Sequence, residues 1–278
     1  MRLQITVNTI QVEIDLPGVS EDAYLTTSAL LDADLSDPKI KNRDAISKAF
    51  LYALRQCPEA NASDLWHHVV YRLYCGILPR YRPQDPKQSW VRAGGDALEM
   101  TLEQIYAPVL APHGVRIRML LNAAEKVNAL SEMGIQAEVG AAKLDMSLHR
   151  VTTDSRWTIM GGVHVKASLA ERVSDDIPAS RAMRNQGYVS PLWTLDVKSF
   201  PPPHGALINR GEFGTPAVPS EKRKYIEEHG EFSNAYSANN RTIPSEDTNS
   251  GYQIYRINLS QQPDQFAQDI IKWAKERL

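Results

Sequence analysis

The chain is poor in cysteine. It has 278 residues and two cysteines, Cys57 and Cys75. Two thiols do not build a disulfide framework, and neither has another Cys or His at metal-ligand spacing. Reduced thiols in a cytoplasm are therefore the expectation. Long apolar runs are missing as well. No stretch approaches the about 20 residues needed to span a bilayer, so no membrane partner is expected. The first residues, MRLQITVNTIQVEIDLPG, alternate like a strand and lack the continuous apolar core of a signal peptide. There is no internal repeat, no low-complexity segment and no excess of one charge sign. The formal net charge is −2, with 42% hydrophobic and 23% charged residues. These values describe a globular chain whose positive charge must gather on one face if it is to meet a polyanion. Two clusters have that composition: Arg80, Arg82, Lys87 and Arg92, then Arg210, Lys222, Arg223 and Lys224.

The alternation at Leu3, Ile5 and Val7, then Ile10, Val12 and Ile14, predicts one or two strands over 2–16, ended by Pro17-Gly18. Residues 20–56 read as helical with a break near Pro38, and 43–57 is the clearest amphipathic stretch. A helix is expected over 64–77. His67 and His68 are adjacent within it, so they do not form an i, i+4 metal pair. Residues 79–92, rich in Pro, Arg and Gln, read as a loop with Tyr81 and Trp90 interleaved. A helix over 94–110 follows, with Leu98, Leu102, Ile105 and Val109 as its apolar stripe and Glu99 beside that stripe. Then come a strand at 116–121, a helix at 124–134 ended by Gly134, and strands at 143–148 and 157–167. A charged helix start follows, with Ser168 as its cap, and a short helix over 177–187 continues it. An apolar strand at 188–200 ends at three prolines. Residues 204–250 read as loop apart from a basic helix near 220–230. A late strand at 251–260 and a terminal amphipathic helix close the chain.

The chemistry concentrates in two strands. KLDMSL (143–148) places a carboxylate, Asp145, in the middle of a short apolar strand. About twenty residues later GGVHVKA places Lys166 in another. Desolvating an ammonium is costly unless a partner or a chemical role compensates, so a strand lysine of this kind needs an explanation. Two neighbouring strands hold an acid and a lysine together when both side chains leave one face. That pairing, followed by a helix rich in Arg and Asp, suits metal-dependent phosphodiester cleavage: a divalent ion takes the carboxylate, and the lysine stabilises developing charge. A rival pair, Asp196 and Lys198, stands in TLDVKSF. It ranks second because no acid strand precedes it except that of Lys166 itself.

The segments VHVKASLAERVSDDIPASR (163–181), TLDVKSFPPPHGALINRGEFGTP (194–216), DLWHHVVYR (64–72), SWVR (89–92) and GDALE (95–99) resemble the type II restriction endonucleases of the PD-(D/E)xK fold that read sites containing CCGG. The resemblance covers nearly the whole chain. It implies an α/β fold with a central mixed sheet flanked by helices, one domain over 1–278. Within it, an N-terminal part spans about 1–92, a nuclease core about 93–203 and a loop-rich contact part about 204–278. It implies one or two Mg²⁺ ions, double-stranded DNA as partner, a homodimer at least when bound to DNA, and cleavage at 5′-ACCGGT or a close variant with 5′ extensions. Carried over by residue, the catalytic set is Asp145, Lys166 and Glu99. The metal set is Asp145, Glu99, the carbonyl of Val165, and Asp176 or Glu171. The chain departs from the pattern at His164, where an acid usually stands two residues before the lysine, and at Leu144, where a proline usually precedes the first acid. Arg172 with Asp175 or Asp176 occupies the place that reads the inner base pairs, with Arg181 also on the DNA side. Arginine pairs bidentately with guanine, and a carboxylate accepts from cytosine N4. An i, i+3 salt bridge between Arg172 and Asp175 is the plain alternative. The outer base pair falls to Arg92 or the 204–241 loops. A non-cleaving DNA-binding protein and a structure-specific repair nuclease of the same fold are the rival functions.

Overall fold

The computed structural model describes residues 1–7, 9–170, 172–199, 207–246 and 251–276. Strands β1 (Arg2–Val7) and β2 (Ile10–Asp15) form an antiparallel hairpin in which Arg2 faces Asp15 and Val7 faces Ile10. Helix α1 (Glu21–Ser36) starts at Ser20, whose hydroxyl accepts from the Ala23 amide at 3.1 Å. Helix α2 (Asn42–Gln56) packs on it. A short α3 (Ala62–Asp64) passes into a π-helical segment, Leu65–Tyr71, and then α4 (Arg72–Ile77).

Helix α5 (Pro86–Leu110) begins eight residues earlier than the sequence reading placed it. Asp85 caps it, accepting from the Gln88 amide at 2.8 Å, and Pro86 sits where its missing N–H costs nothing. Trp90 and Arg92 therefore lie on a helix, and the loop shrinks to the residues around 81–85. Leu98, Leu102 and Tyr106 are buried along α5 and turn its inner face to the sheet. Next come β3 (Val115–Met119), α6 (Ala123–Glu132), β4 (Met146–Val151), β5 (Trp157–Lys166), α7 (Arg172–Asn185), β6 (Leu192–Thr194), α8 (Glu221–Glu227), β7 (Ala235–Ser237), β8 (Ile254–Arg256) and α9 (Gln265–Glu276).

The six-stranded sheet runs β3-β4-β5-β6-β7-β8, antiparallel through β3, β4 and β5 and parallel from β5 to β8. The fold is thus the mixed α/β sheet flanked by helices that the sequence implied. One apolar core extends from the N-terminal helices through α5 and the sheet to Phe266 and Ile270 of α9. Inside it Tyr106 donates to Asp264 at 2.6 Å and Trp193 Nε1 donates to Tyr106 at 3.3 Å. These two bonds satisfy the polar ends of buried aromatics and tie α5, β6 and α9 together. Gly161 permits a close crossing: a Cβ there would meet the Val189 carbonyl oxygen at 2.0 Å.

Four local expectations change. Strand β4 starts at Met146, so Asp145 precedes it rather than standing within it. Ser168 does not cap a helix; its hydroxyl donates to Glu212 at 2.8 Å, and α7 starts at Arg172 and runs unbroken to Asn185. The 188–200 stretch is a strand only over Leu192–Thr194, because Asp196 takes a left-handed φ of +48° and turns the chain away. Residues 235–237, read as loop, form an interior strand. The three prolines at 201–203 lie outside the described residues. Among the described residues no helix is long and apolar enough to cross a membrane.

Candidate active site

Sheet register builds the site. Met146 pairs with Val163, which sets Asp145 beside the C-terminal end of β5. There Asp145 Oδ2 accepts from the Val165 amide at 2.8 Å and from Lys166 Nζ at 2.9 Å. His164 and Lys166 exchange backbone bonds with the β6 side, so the peptide groups of Val165 face the Asp145 side. Its carbonyl accordingly points along the edge that carries the acid. Helix α7 crosses above and delivers Asp176, 4% exposed, with Oδ2 2.7 Å from Lys166 Nζ and 3.5 Å from His164 Nδ1. One ligand atom each of Asp145, His164 and Asp176 lies within 4.8 Å of the others.

Lys166 stands between two acids. Burial alone would lower its pKa, but the Asp145 and Asp176 carboxylates outweigh burial and hold the ammonium above its ordinary value. Burial likewise pushes Asp176 up, and His164 and Lys166 overcome it, leaving that carboxyl below the ordinary range. Glu99, half-buried on α5, is pushed up to about 9 by desolvation first and the Asp145 charge second. Both effects favour its protonated form in the metal-free protein. The donor chemistry fits a divalent cation: two carboxylates share one ammonium, which supplies the positive charge this pocket requires, and a third carboxyl beside them remains protonated in its absence.

The sequence candidates separate accordingly. Asp145, Lys166, Asp176, Glu99 and the Val165 backbone come together. The rival Asp196 does not join them: it is buried, and its carboxylate accepts from the Glu212 amide at 2.7 Å and the Thr242 hydroxyl at 2.9 Å. Desolvation raises its pKa to about 6 against those two bonds. Gly211, at φ +79°, allows this approach, since a Cβ there would lie 2.1 Å from Asp196 Oδ2. Asp196 thus anchors the loop around residue 212. Glu171 lies outside the described residues, as does the side chain of Arg172. Asp175 is exposed and lies 3.7 Å from Lys143 Nζ. Asp176, offered as both metal ligand and base reader, is buried against Lys166, which fits the first use and removes it from base contact. Arg181 forms a two-bond pair with Glu231, a carboxylate 4% exposed at its side chain. Arg92 is exposed on α5, in a cleft with Lys41, Arg43 and Arg82.

The basic clusters are less open than their composition suggests. Arg223 is wholly buried, donating to the Phe213 carbonyl at 3.2 Å and paired with Glu227. Lys222 pairs with Glu212, and Arg82 donates to the carbonyls of Asp37 at 3.0 Å and Ile40 at 2.8 Å. His68 is wholly buried and His67 beside it half-buried. Their rings stack 4.6 Å apart in the π segment, His67 contacts Asn209 at 3.1 Å, and burial first, then the neighbouring cations, lowers His68 to about 3. His164 was marked in the sequence only as a departure. Its i, i+2 spacing from Lys166 was the available sign that both side chains share one face.

A mixed sheet between helices, with carboxylates and a lysine gathered at the end of an interior strand, is the restriction-endonuclease-like architecture. No family model matches the chain. The type II restriction enzyme AgeI of Thalassovita gelatinovora is 49% identical over 262 residues, which cover 92% of this chain and 93% of that protein. A crystal structure of a specific restriction endonuclease AgeI–DNA complex matches with a TM-score of 0.91 at 47% identity, over 98% of this chain and 99% of that one. The chain belongs to the type II restriction enzymes.

Proposed function

We propose that this enzyme hydrolyses both strands of duplex DNA at a palindromic CCGG-containing site, 5′-ACCGGT, in a Mg²⁺-dependent reaction that leaves 5′ extensions. Its main support is the convergence of Asp145, Asp176 and Lys166 in a chain this similar to a type II restriction enzyme. That the matching AgeI structure is a DNA complex favours DNA as the partner.

Asp145 and Asp176 would hold the cation, with Glu99 and the Val165 carbonyl beside them; the chemistry a bound Mg²⁺ would supply there is polarisation of the phosphate and a lowered pKa for a water. Lys166, its ammonium fixed by both acids, contributes positive charge at the scissile phosphate as negative charge develops. The Val165 amide keeps Asp145 oriented. Arg172 and Asp175, at the start of α7, read the inner base pairs, and Arg181 and Arg92 contribute to the DNA face. A twofold site calls for two copies of the chain, a homodimer at least on DNA. The cytoplasm, where the DNA is, is the place of action.

The test is digestion of a plasmid with one ACCGGT site in the presence of Mg²⁺. A single cut at that site is the expected result. Cutting at other CCGG sites would overturn the outer base pair, and absence of cleavage on any DNA would overturn the enzymatic reading.

A further inference from the structure

The strand that carries Lys166 offers one more donor to the cluster. His164 is wholly buried, and its side chain leaves β5 on the same face as that of Lys166. Its Nε2 lies 3.0 Å from Ser190 Oγ, and the Ser190 amide donates to Ser233 Oγ at 3.0 Å. Phe232 packs on the ring in a T-shaped contact with centroids 5.3 Å apart. The imidazole is therefore held at one end and on one face. The other end is different. Among the described residues Nδ1 has no hydrogen-bond partner, and it points toward Asp176 Oδ2 at 3.5 Å, too long for a good bond. A buried ring nitrogen left so costs stability unless something occupies the space it faces. What it faces is the pocket where Asp145 and Asp176 converge, all three ligand atoms lying within 4.8 Å; in the metal-free protein Lys166 Nζ balances the two acids there, and a bound cation would share that charge with it.

We propose that Nδ1 of His164 is a metal ligand, making this a centre of two carboxylates and one imidazole that prefers Mn²⁺ and Co²⁺ to Mg²⁺. The inference rests on Asp145 and Asp176 being metal ligands in the function proposed above. Mg²⁺ favours oxygen donors and dehydrates reluctantly, whereas imidazole suits first-row transition ions. In the ligating form Nε2–H donates to Ser190 Oγ and the Nδ1 lone pair faces the cluster. A ligating histidine is usually fixed in this way through its second nitrogen.

The test uses the full chain without DNA. Mn²⁺ and Mg²⁺ affinities are measured by calorimetry, and the Mn²⁺-loaded protein is examined by pulsed electron paramagnetic resonance. Mn²⁺ is expected to bind more tightly than Mg²⁺, with a ¹⁴N coupling from a directly bound imidazole. His164→Gln loses the coupling and most of the preference. His164→Asp also loses the coupling and shifts the preference toward Mg²⁺. A wild-type Mn²⁺ spectrum without imidazole coupling would overturn the proposal even if neither variant folds, as would a His164→Gln variant that keeps both coupling and preference. Cleavage at ACCGGT without the coupling defeats this inference and leaves the function standing. Coupling in a protein that cuts no DNA defeats the function and leaves the ligand assignment standing.

Discussion

Replacing Lys166 with methionine separates its charge from its packing. Methionine keeps an unbranched apolar stem, so no large cavity forms, but the ammonium that lies 2.9 Å from Asp145 and 2.7 Å from Asp176 is gone. Removing one partner of a buried ion pair costs about 3–5 kcal/mol, because the remaining charge is left uncompensated. Here Asp145 retains the Val165 amide and 13% exposure of its side chain, which places the loss near the lower end, about 3 kcal/mol. The assay is urea unfolding in EDTA, with the slope checked for constancy. A divalent cation at about 100 times its Kd adds about 2.7 kcal/mol to the variant by mass action, returning it close to the stability of the metal-free wild type. Unchanged stability in EDTA, or a variant that a divalent cation does not stabilise, would refute the view of Lys166 as the charge that balances these acids. DNA cleavage by the variant is expected to fall by about 10²-fold or more in the presence of metal.

Glu99 carries a pH signature. Its carboxyl titrates near 9 in the folded protein, against about 4.5 for an ordinary glutamate, so the folded state holds the proton longer than the unfolded state does. Its contribution is therefore fully present below the ordinary value and is lost as pH rises toward 9. In EDTA, Glu99→Gln should be more stable than wild type by a margin that widens from pH 5 to pH 9. If Glu99 ligates the cation, metal binding at pH 7.5 should release close to one proton, measured by calorimetry in buffers of different ionisation enthalpy, and Glu99→Gln should release none from this position. Asn239 tests the polar hub beneath the loops. Its amide donates to the Asp196 and Asn209 carbonyls at 3.1 and 3.0 Å and accepts from Asn61 at 2.9 Å. Asn239→Ala leaves these groups unpaired and should cost about 3 kcal/mol in thermal or urea unfolding; a loss under about 0.5 kcal/mol would mean that water or a shifted loop replaces the bonds.

Much of the site was legible because strand alternation carries it. Lys166 needed only its place in an apolar strand, and Asp145 its separation from that strand. The position of Asp145, just before β4, escaped the reading because an acid flanked by Leu144 and Met146 has the same local pattern at a strand's mouth as inside it. Asp176 enters from the sequence only through the family resemblance, as an alternative to Glu171: ten residues past the lysine, on a helix, it reaches the cluster because α7 crosses the end of β5, which no local pattern shows. The interior strand β7 was hidden for a different reason. Its three residues, Ala235–Ser237, are too few for a period to show, and the asparagines at 234, 239 and 240 look like loop. In the fold Asn239 donates to the Asp196 and Asn209 carbonyls, Asn234 Oδ1 accepts from the Gln253 amide and the Asn240 amide donates to Asn61 Oδ1, pairings distant in sequence that no local pattern records. Helix α5 had a visible start signal, Asp85-Pro86, but the arginines and prolines before it drew the boundary too late. Asp196-Val197-Lys198 shows the converse, a literal acid-x-lysine, ranked second on sequence, whose acid serves as a loop anchor.

The central claim is that cleavage belongs to the cluster around Asp176 and not to Asp196. The most direct measurement is single-turnover cleavage of a duplex bearing ACCGGT by Asp176→Asn and Asp196→Asn, each corrected for its folded fraction. Asp176→Asn is expected to slow cleavage by about 10²-fold or more, while Asp196→Asn cleaves at the wild-type rate per folded molecule. Normal cleavage by Asp176→Asn, together with its loss in a folded Asp196→Asn, would contradict it.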